Sequence, residues 1–253
     1  MKKIPVEVGK MFADEGIFAL GICYWNVEGL PKSLTNVPLE PFEKAIQWLK
    51  NRGFLHIYIY GISKGAELAL LCASLMPQIE GVIALSPSHC VWGGIKGNGG
   101  LFSKSFVTES EFTWKGQALP CVAVKADYRR LIANLLKQRQ MNMSFMYEKA
   151  LENFDDDCAI KIENIKGNIL FLYPENDTMW PSKLSVSYMK ERLGENYFAY
   201  EVEAIGYEKV SHIIVPLNPS KLKMFKVERQ YPKACQASRK DAFEQSIKWL
   251  LKQ

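Results

Sequence analysis

The run Ile57-Tyr58-Ile59-Tyr60-Gly61-Ile62-Ser63-Lys64-Gly65-Ala66-Glu67-Leu68 constrains this chain more than any other stretch. Four apolar, strand-favouring residues enter Gly-Ile-Ser-Lys-Gly, and small and aliphatic residues suited to a helix follow at once. The predicted unit is strand, sharp turn, helix. A turn this tight leaves no room beside its central residue, so glycines are expected two positions either side of Ser63, whose hydroxyl is lifted clear of the sheet. The helix then opens with unpaired N–H groups aimed at the same spot, where negative charge is stabilised. G-x-S-x-G alone recurs by chance; the flanking strand and helix make this one a candidate nucleophile elbow.

The rest of the chain reads as a setting for that turn. At 253 residues it is long enough for one large α/β domain, and residues 1–253 are expected to form a single one. A net charge of +5 is modest, and the scattered basic residues make no nucleic-acid footprint. Six cysteines lie far apart with no C-x-x-C pair, which suits free thiols in a reducing compartment. After Met1-Lys2-Lys3 the sequence is interrupted by Glu7, Lys10, Asp14 and Glu15, unlike a signal peptide, and no run approaches the roughly 18 apolar residues of a membrane span. A cytoplasmic location is the expectation.

Hydrophobic spacing orders the elements. Ile4, Val8, Met11 and Phe12 predict an opening helix stopped at Gly16, and the continuous apolar run Ile17–Tyr24 suits a parallel strand buried on both faces. Pro41, Phe42, Ala45, Ile46 and Leu49, with Gly53 beyond, predict a second helix before the elbow strand. Val82-Ile83-Ala84-Leu85 is another buried strand, so strand and helix alternate as in a doubly wound parallel sheet. From Ser86 to about Met143 the alternation fails. Gly93-Gly94, Gly97, Gly99-Gly100 and exposed-looking aromatics there, without a phosphate-loop pattern, suggest an inserted cap-like or substrate-binding segment at about 87–143. Alternation resumes with a helix around Tyr147–Phe154, a strand Ile169–Tyr173, a helix ending near Gly194 and a last strand around Ala199 to Ile205; Ser238 is placed to cap the final helix. Asp155-Asp156-Asp157 reads as a solvated loop, and no metal or cofactor is called for.

A serine hydroxyl needs a base, and the base a carboxylate. Three histidines are available. Reactive groups gather at the carboxyl ends of parallel strands, which excludes His56, favours His212 after the last strand and leaves His89 a weaker candidate. Asp177 follows a buried strand at the same sheet edge. The chain order Ser63, Asp177, His212 is that of the α/β-hydrolase arrangement.

Cys23-Tyr24-Trp25-Asn26 with Gly29-Leu30-Pro31-Lys32, Gly61 to Leu68, Trp114-Lys115-Gly116 through Leu119-Pro120, and Asp177 with Trp180 resemble the catalytic domain of acyl-CoA thioesterases and bile acid-CoA:amino acid N-acyltransferases. The resemblance implies an α/β-hydrolase fold and an acyl-enzyme on Ser63. Serine rather than cysteine at the elbow points to hydrolysis. The Lys64 backbone N–H would be one oxyanion donor. The family's N-terminal β-sandwich has no counterpart in this sequence, nor has the upstream strand whose glycine-rich loop supplies the second donor, so the sheet is expected to be shortened on its N-terminal side. Lys96, Lys104, Lys115 and Arg129-Arg130 are candidate partners for coenzyme A phosphates. The implied substrate is a small-molecule acyl thioester, with a carboxylic ester or a non-catalytic binding role as alternatives.

Overall fold

The apolar stripe of the opening segment folds as its spacing predicts. The computed structural model describes residues 3–97, 105–217 and 219–253. Within them α1 (Lys3–Asp14) buries Val8 and Phe12 and stops as Gly16 turns left-handed at φ 77°. After β1 (Val37–Pro38), helix α2 (Glu40–Lys50) starts with Pro41 in its first turn and buries Phe42 and Ile46. The elbow run becomes β2 (Tyr58–Ile62) and α3 (Lys64–Leu75), followed by β3 (Gly81–Leu85). Next come β4 (Gly93–Lys96), β5 (Ser105–Ser110), β6 (Phe112–Trp114), β7 (Gln117–Ala118), α4 (Tyr128–Gln138) and α5 (Ser144–Leu151). Then β8 (Asn168–Pro174), α6 (Ser182–Glu195) and β9 (Val202–Tyr207) restore the alternation, and α7 (Lys226–Gln230) and α8 (Pro232–Lys252) close the chain.

Strands β2, β3, β8 and β9 form one sheet in that order, every pairing parallel. Such a sheet must be covered on both faces, and alternate residues divide accordingly. Val82, Ala84, Ile169 and Phe171 pack with Leu68, Leu71 and Cys72 of α3 and with Val186 and Met189 of α6. Ile83, Leu85, Leu170 and Leu172 face the opposite way, onto Ala242 and Trp249 of α8. Register brings Ile62, Leu85 and Leu172 level, so the carboxyl ends of three strands open on one edge. This is the α/β-hydrolase fold.

Four expectations are corrected. Ile17–Tyr24 is not a strand: between Ile17 N–H, bonded to Phe12 O, and Asn26 N–H, bonded to Pro31 O, no backbone hydrogen bond joins it to another described residue. Apolar composition favours a ladder only where a neighbouring strand offers one. Not all aromatics of the inserted segment are surface groups: Tyr128 is exposed, but Trp92 and Phe112 are fully buried. That segment carries core of its own, with Trp92, Val122, Leu131 and Met146 packed against Trp180. Ser238 lies inside α8, which begins at Pro232 because proline's fixed φ and missing N–H suit a first turn. The last strand runs two to three residues later than its apolar run suggested.

Candidate active site

The turn at Ser63 is strained in the manner its spacing requires. Ser63 has φ 56° and ψ −123°, which L-residues avoid unless the surroundings impose it, and its N–H is tied to Leu85 O at 2.9 Å. A Cβ on Gly61 would fall 2.0 Å from Gly65 O, so the first glycine is obligatory; a Cβ on Gly65 would meet nothing within 4 Å. Only one of the two expected glycines is therefore sterically required. The N–H groups of Ala66 and Glu67 return to Ser63 O at 2.8 and 3.1 Å, leaving those of Lys64 and Gly65 ahead of them without a backbone acceptor.

Three strand ends bring their side chains together at this turn. His212, in the loop beyond β9, places Nε2 2.7 Å from Ser63 Oγ and Nδ1 2.7 Å from Asp177 Oδ2. Asp177, just past β8, accepts further bonds from the Ser182 hydroxyl at 2.5 Å on the same oxygen and from Met179 N–H at 2.8 Å on the other. With every partner a donor, Asp177 is held as an acceptor, which assigns the proton to His212 Nδ1 and leaves Nε2 free to take the serine proton. His212 and Asp177 are almost completely buried, whereas Ser63 is half-buried. The chain of contacts therefore runs from a buried carboxylate to a residue that is partly exposed.

Beneath the elbow lies a charged cluster. Lys64 Nζ stands 2.6 Å from Glu111 Oε1 and 3.2 Å from Glu67 Oε2, both carboxylates being fully buried. Glu67 also accepts the Trp92 N–H at 3.0 Å, but the approach of Lys64 to Glu111 is off-line for a regular hydrogen bond. Burial pushes the Glu111 carboxyl well above the usual range, and the neighbouring Glu67 adds to it; burial likewise raises Glu67, against the pull of Lys64. For Lys64, burial works against the charge, yet the two glutamates together outweigh it and hold the ammonium pKa above its ordinary value. The ammonium also faces the Trp180 ring, 5.0 Å from its centroid, and Trp180 meets the His212 ring edge-on at 5.4 Å.

A family model described as "BAAT / Acyl-CoA thioester hydrolase C terminal" matches residues 37–231. The chain belongs to this family. Among curated proteins it is 26% identical over 209 residues to human acyl-coenzyme A thioesterase 1, covering 81% of this chain and 45% of that protein. It is 24% identical over 242 residues to mouse bile acid-CoA:amino acid N-acyltransferase, covering 94% of this chain and 49% of that protein. The chain thus spans about half the length of the curated relatives it matches. Among solved structures, MGS-M1, an α/β hydrolase enzyme from a Medee basin deep-sea metagenome library, aligns over 98% of this chain and 76% of its own, with 14% identity and a TM-score of 0.47.

The remaining candidates of this BAAT/thioesterase family member lie elsewhere. His56 is exposed and pairs with Glu80 at 2.7 Å. His89 is buried, bonds Ser185 Oγ at 2.9 Å and packs on Phe154 and Tyr188, outside the Ser63 chain of contacts. Asp155 caps its own turn, and Asp156 is bonded by Lys161, Tyr188 and Arg192. Of the cations considered for phosphate groups, Lys96 pairs with Glu109, Lys115 lies over Trp114, Arg130 lies over Phe145, and Arg129 is exposed. Lys104 lies outside the described residues. Ser182, Glu111 and Ser86 went unnoticed in the sequence. A lone serine after a strand, or a glutamate between two hairpins, carries no local signal; only the fold brings each to the site.

Proposed function

We propose that the chain is a serine hydrolase cleaving acyl thioesters, with Ser63 as nucleophile, His212 as general base and then general acid, and Asp177 holding the imidazole. The observation that carries the reading is the unbroken Ser63–His212–Asp177 hydrogen bonding, 2.7 Å at each contact, on a strained elbow. The His212 Nε2 takes the proton as Ser63 Oγ attacks the thioester carbonyl; the imidazolium is stabilised by Asp177 and returns the proton to the leaving thiolate. The acyl-enzyme is then hydrolysed by water activated through the same imidazole. The Lys64 N–H, unpaired at the start of α3, is the proposed donor to the oxyanion, and the positive end of the helix reinforces it. Family membership and thioesterase relatives support an acyl-CoA as the substrate class, and serine at the elbow supports hydrolysis over transfer to an amino acid.

One observation favours a second reading. The elbow strand β2 is at the edge of the described sheet, with β3 as its only partner there, and the Lys64 N–H is the one oxyanion donor assigned. A single donor lowers the rate by roughly a hundredfold to a thousandfold, which describes a weak hydrolase or a module that binds acyl ligands without turnover. Thiol release from acyl-CoA, measured beside hydrolysis of a matched nitrophenyl ester, separates the readings. Thioesterase action predicts faster thiol release, abolished in Ser63→Ala together with fluorophosphonate labelling. Faster ester cleavage points to the carboxylic ester hydrolase, and acyl-CoA binding with neither turnover nor labelling to the binding module.

A further inference from the structure

Three contacts converge on a residue outside the chain of hydrogen bonds at Ser63. Ser86 follows β3 directly, is completely buried and has φ 48°, left-handed backbone that a non-glycine residue holds only where its surroundings impose it. Its N–H donates to Leu172 O at 2.8 Å, inside β8. Its carbonyl accepts Trp180 Nε1–H at 3.0 Å, three residues beyond Asp177. Its hydroxyl donates to the backbone carbonyl of His212 at 2.7 Å. One strained residue thus joins the central strands to the loop of the acid and the loop of the base.

On the side away from the sheet, the His212 loop has a second anchor. Ser211 gives both its N–H and its hydroxyl to Glu228 Oε1, at 3.3 and 2.7 Å, and the same oxygen is held by buried Arg239 at 2.5 Å. Val210, Ile214 and Val215, flanking His212, also pack onto Ile83, Leu85 and Leu172 of the central strands, a contact without direction of its own. The Ser86 hydroxyl adds the directional contact, made to the carbonyl of His212 itself.

We propose that Ser86 is a positioning residue for the Ser63–His212–Asp177 site: its hydroxyl fixes the His212 main chain, and its carbonyl fixes Trp180 against the imidazole edge. The proposal rests on the reading of these three residues as a catalytic triad. It follows that strain at Ser86 is retained because extended backbone there would not serve both loops at once. A shift of about an ångström in a positioned base costs on the order of a hundredfold in rate, so a partial shift costs about tenfold or more.

Two variants separate positioning from stability. Ser86→Gly removes the hydroxyl and relieves the φ; Ser86→Ala removes the hydroxyl and keeps the strain. The expected result for both is kcat for thiol release lowered about tenfold or more with KM unchanged, slower fluorophosphonate labelling of Ser63, and a displaced low-field proton resonance from His212 Nδ1–H. Ser86→Gly should melt no lower than Ser86→Ala. Wild-type kcat, labelling rate and resonance in Ser86→Gly would overturn the proposal, as would losses that follow only the fraction of unfolded protein in each variant. Wild-type protein that neither turns over nor labels more than Ser63→Ala overturns the triad reading instead. Labelled wild type with an equally reactive Ser86→Gly overturns only the role of Ser86.

Discussion

Lys64 serves two ends with two parts of one residue: its N–H is the proposed oxyanion donor, and its ammonium is the cation set between the two buried glutamates Glu67 and Glu111. Burying three ionisable groups is costly, and removing one partner is not the same as removing another. Lys64→Met leaves Glu67 and Glu111 facing each other without a cation, so a loss of about 3 kcal/mol or more is expected in urea unfolding. Glu111→Gln keeps an acceptor near Lys64 and replaces a carboxyl that burial and Glu67 already push toward its neutral form, so it should change stability by less than about 1 kcal/mol. Equal destabilisation by both would contradict the charge balance inferred here. The same residues show what a sequence reveals at this scale. Ser63, Asp177 and His212 were legible because strand ends and chain order restrict where they stand. Glu111 was not, because its partner is forty-seven positions away on another element, as the 64-to-111 contact shows.

Elements were legible where burial and periodicity act on one segment and illegible where a partner decides. The elbow is the first case: β2 and α3 follow from their own residues, and Gly61 from the 2.0 Å approach of a would-be Cβ to Gly65 O. Gly61→Ala should therefore lose several kcal/mol or fail to fold, while Gly65→Ala should melt within a few degrees of wild type; thermal unfolding of the pair decides. Ile17–Tyr24 is the second case. Its composition suits a buried strand, yet Phe18 and Leu20 are 56% and 41% exposed and the backbone of residues 18–25 lacks described main-chain partners. Hydrogen exchange should find these amides turning over orders of magnitude faster than those of β3 and β8, whose ladders lie inside the sheet. Protection of residues 18–25 comparable to β3 would mean that a ladder forms there in solution. The inserted segment lies between these cases: its departure from alternation was plain, but Trp92 becomes core only once Trp180 and α5 arrive from later in the chain.

Across the whole molecule, His89 and the ion-paired carboxylates should weaken the fold in acid in two stages, because their shifts favour the deprotonated forms, whereas the raised carboxyls of Glu67 and Glu111 act in the opposite direction. Burial pushes the His89 imidazole down to about 4, with Ser185, Phe154 and Tyr188 around it and no carboxylate bonded to it. An unfolded chain takes up that proton near the ordinary histidine value of about 6.5, so between the two values the unfolded state binds more protons and stability falls as pH falls. The contribution is fully present above about 6.5 and lost by about 4, at most about 3 kcal/mol for a shift of this size. Below that, carboxylates take over. The Lys161 hydrogen bond, with Arg192 and Tyr188, holds Asp156 down to about 2, and Arg192 lowers Glu163 against the opposing effect of burial. Their contributions are present above the ordinary carboxylate range and lost as pH falls through the lowered values; exposure of Asp156 to solvent keeps its share small. His89→Asn, which preserves a polar partner for Ser185 but does not titrate, separates the stages. Relative to the variant, wild type should lose melting temperature progressively from pH 7 to pH 4.5, the gap being the His89 contribution, and both should fall together below pH 4. Parallel decline of the two proteins across pH 7 to 4.5 would move the acid sensitivity to groups other than His89.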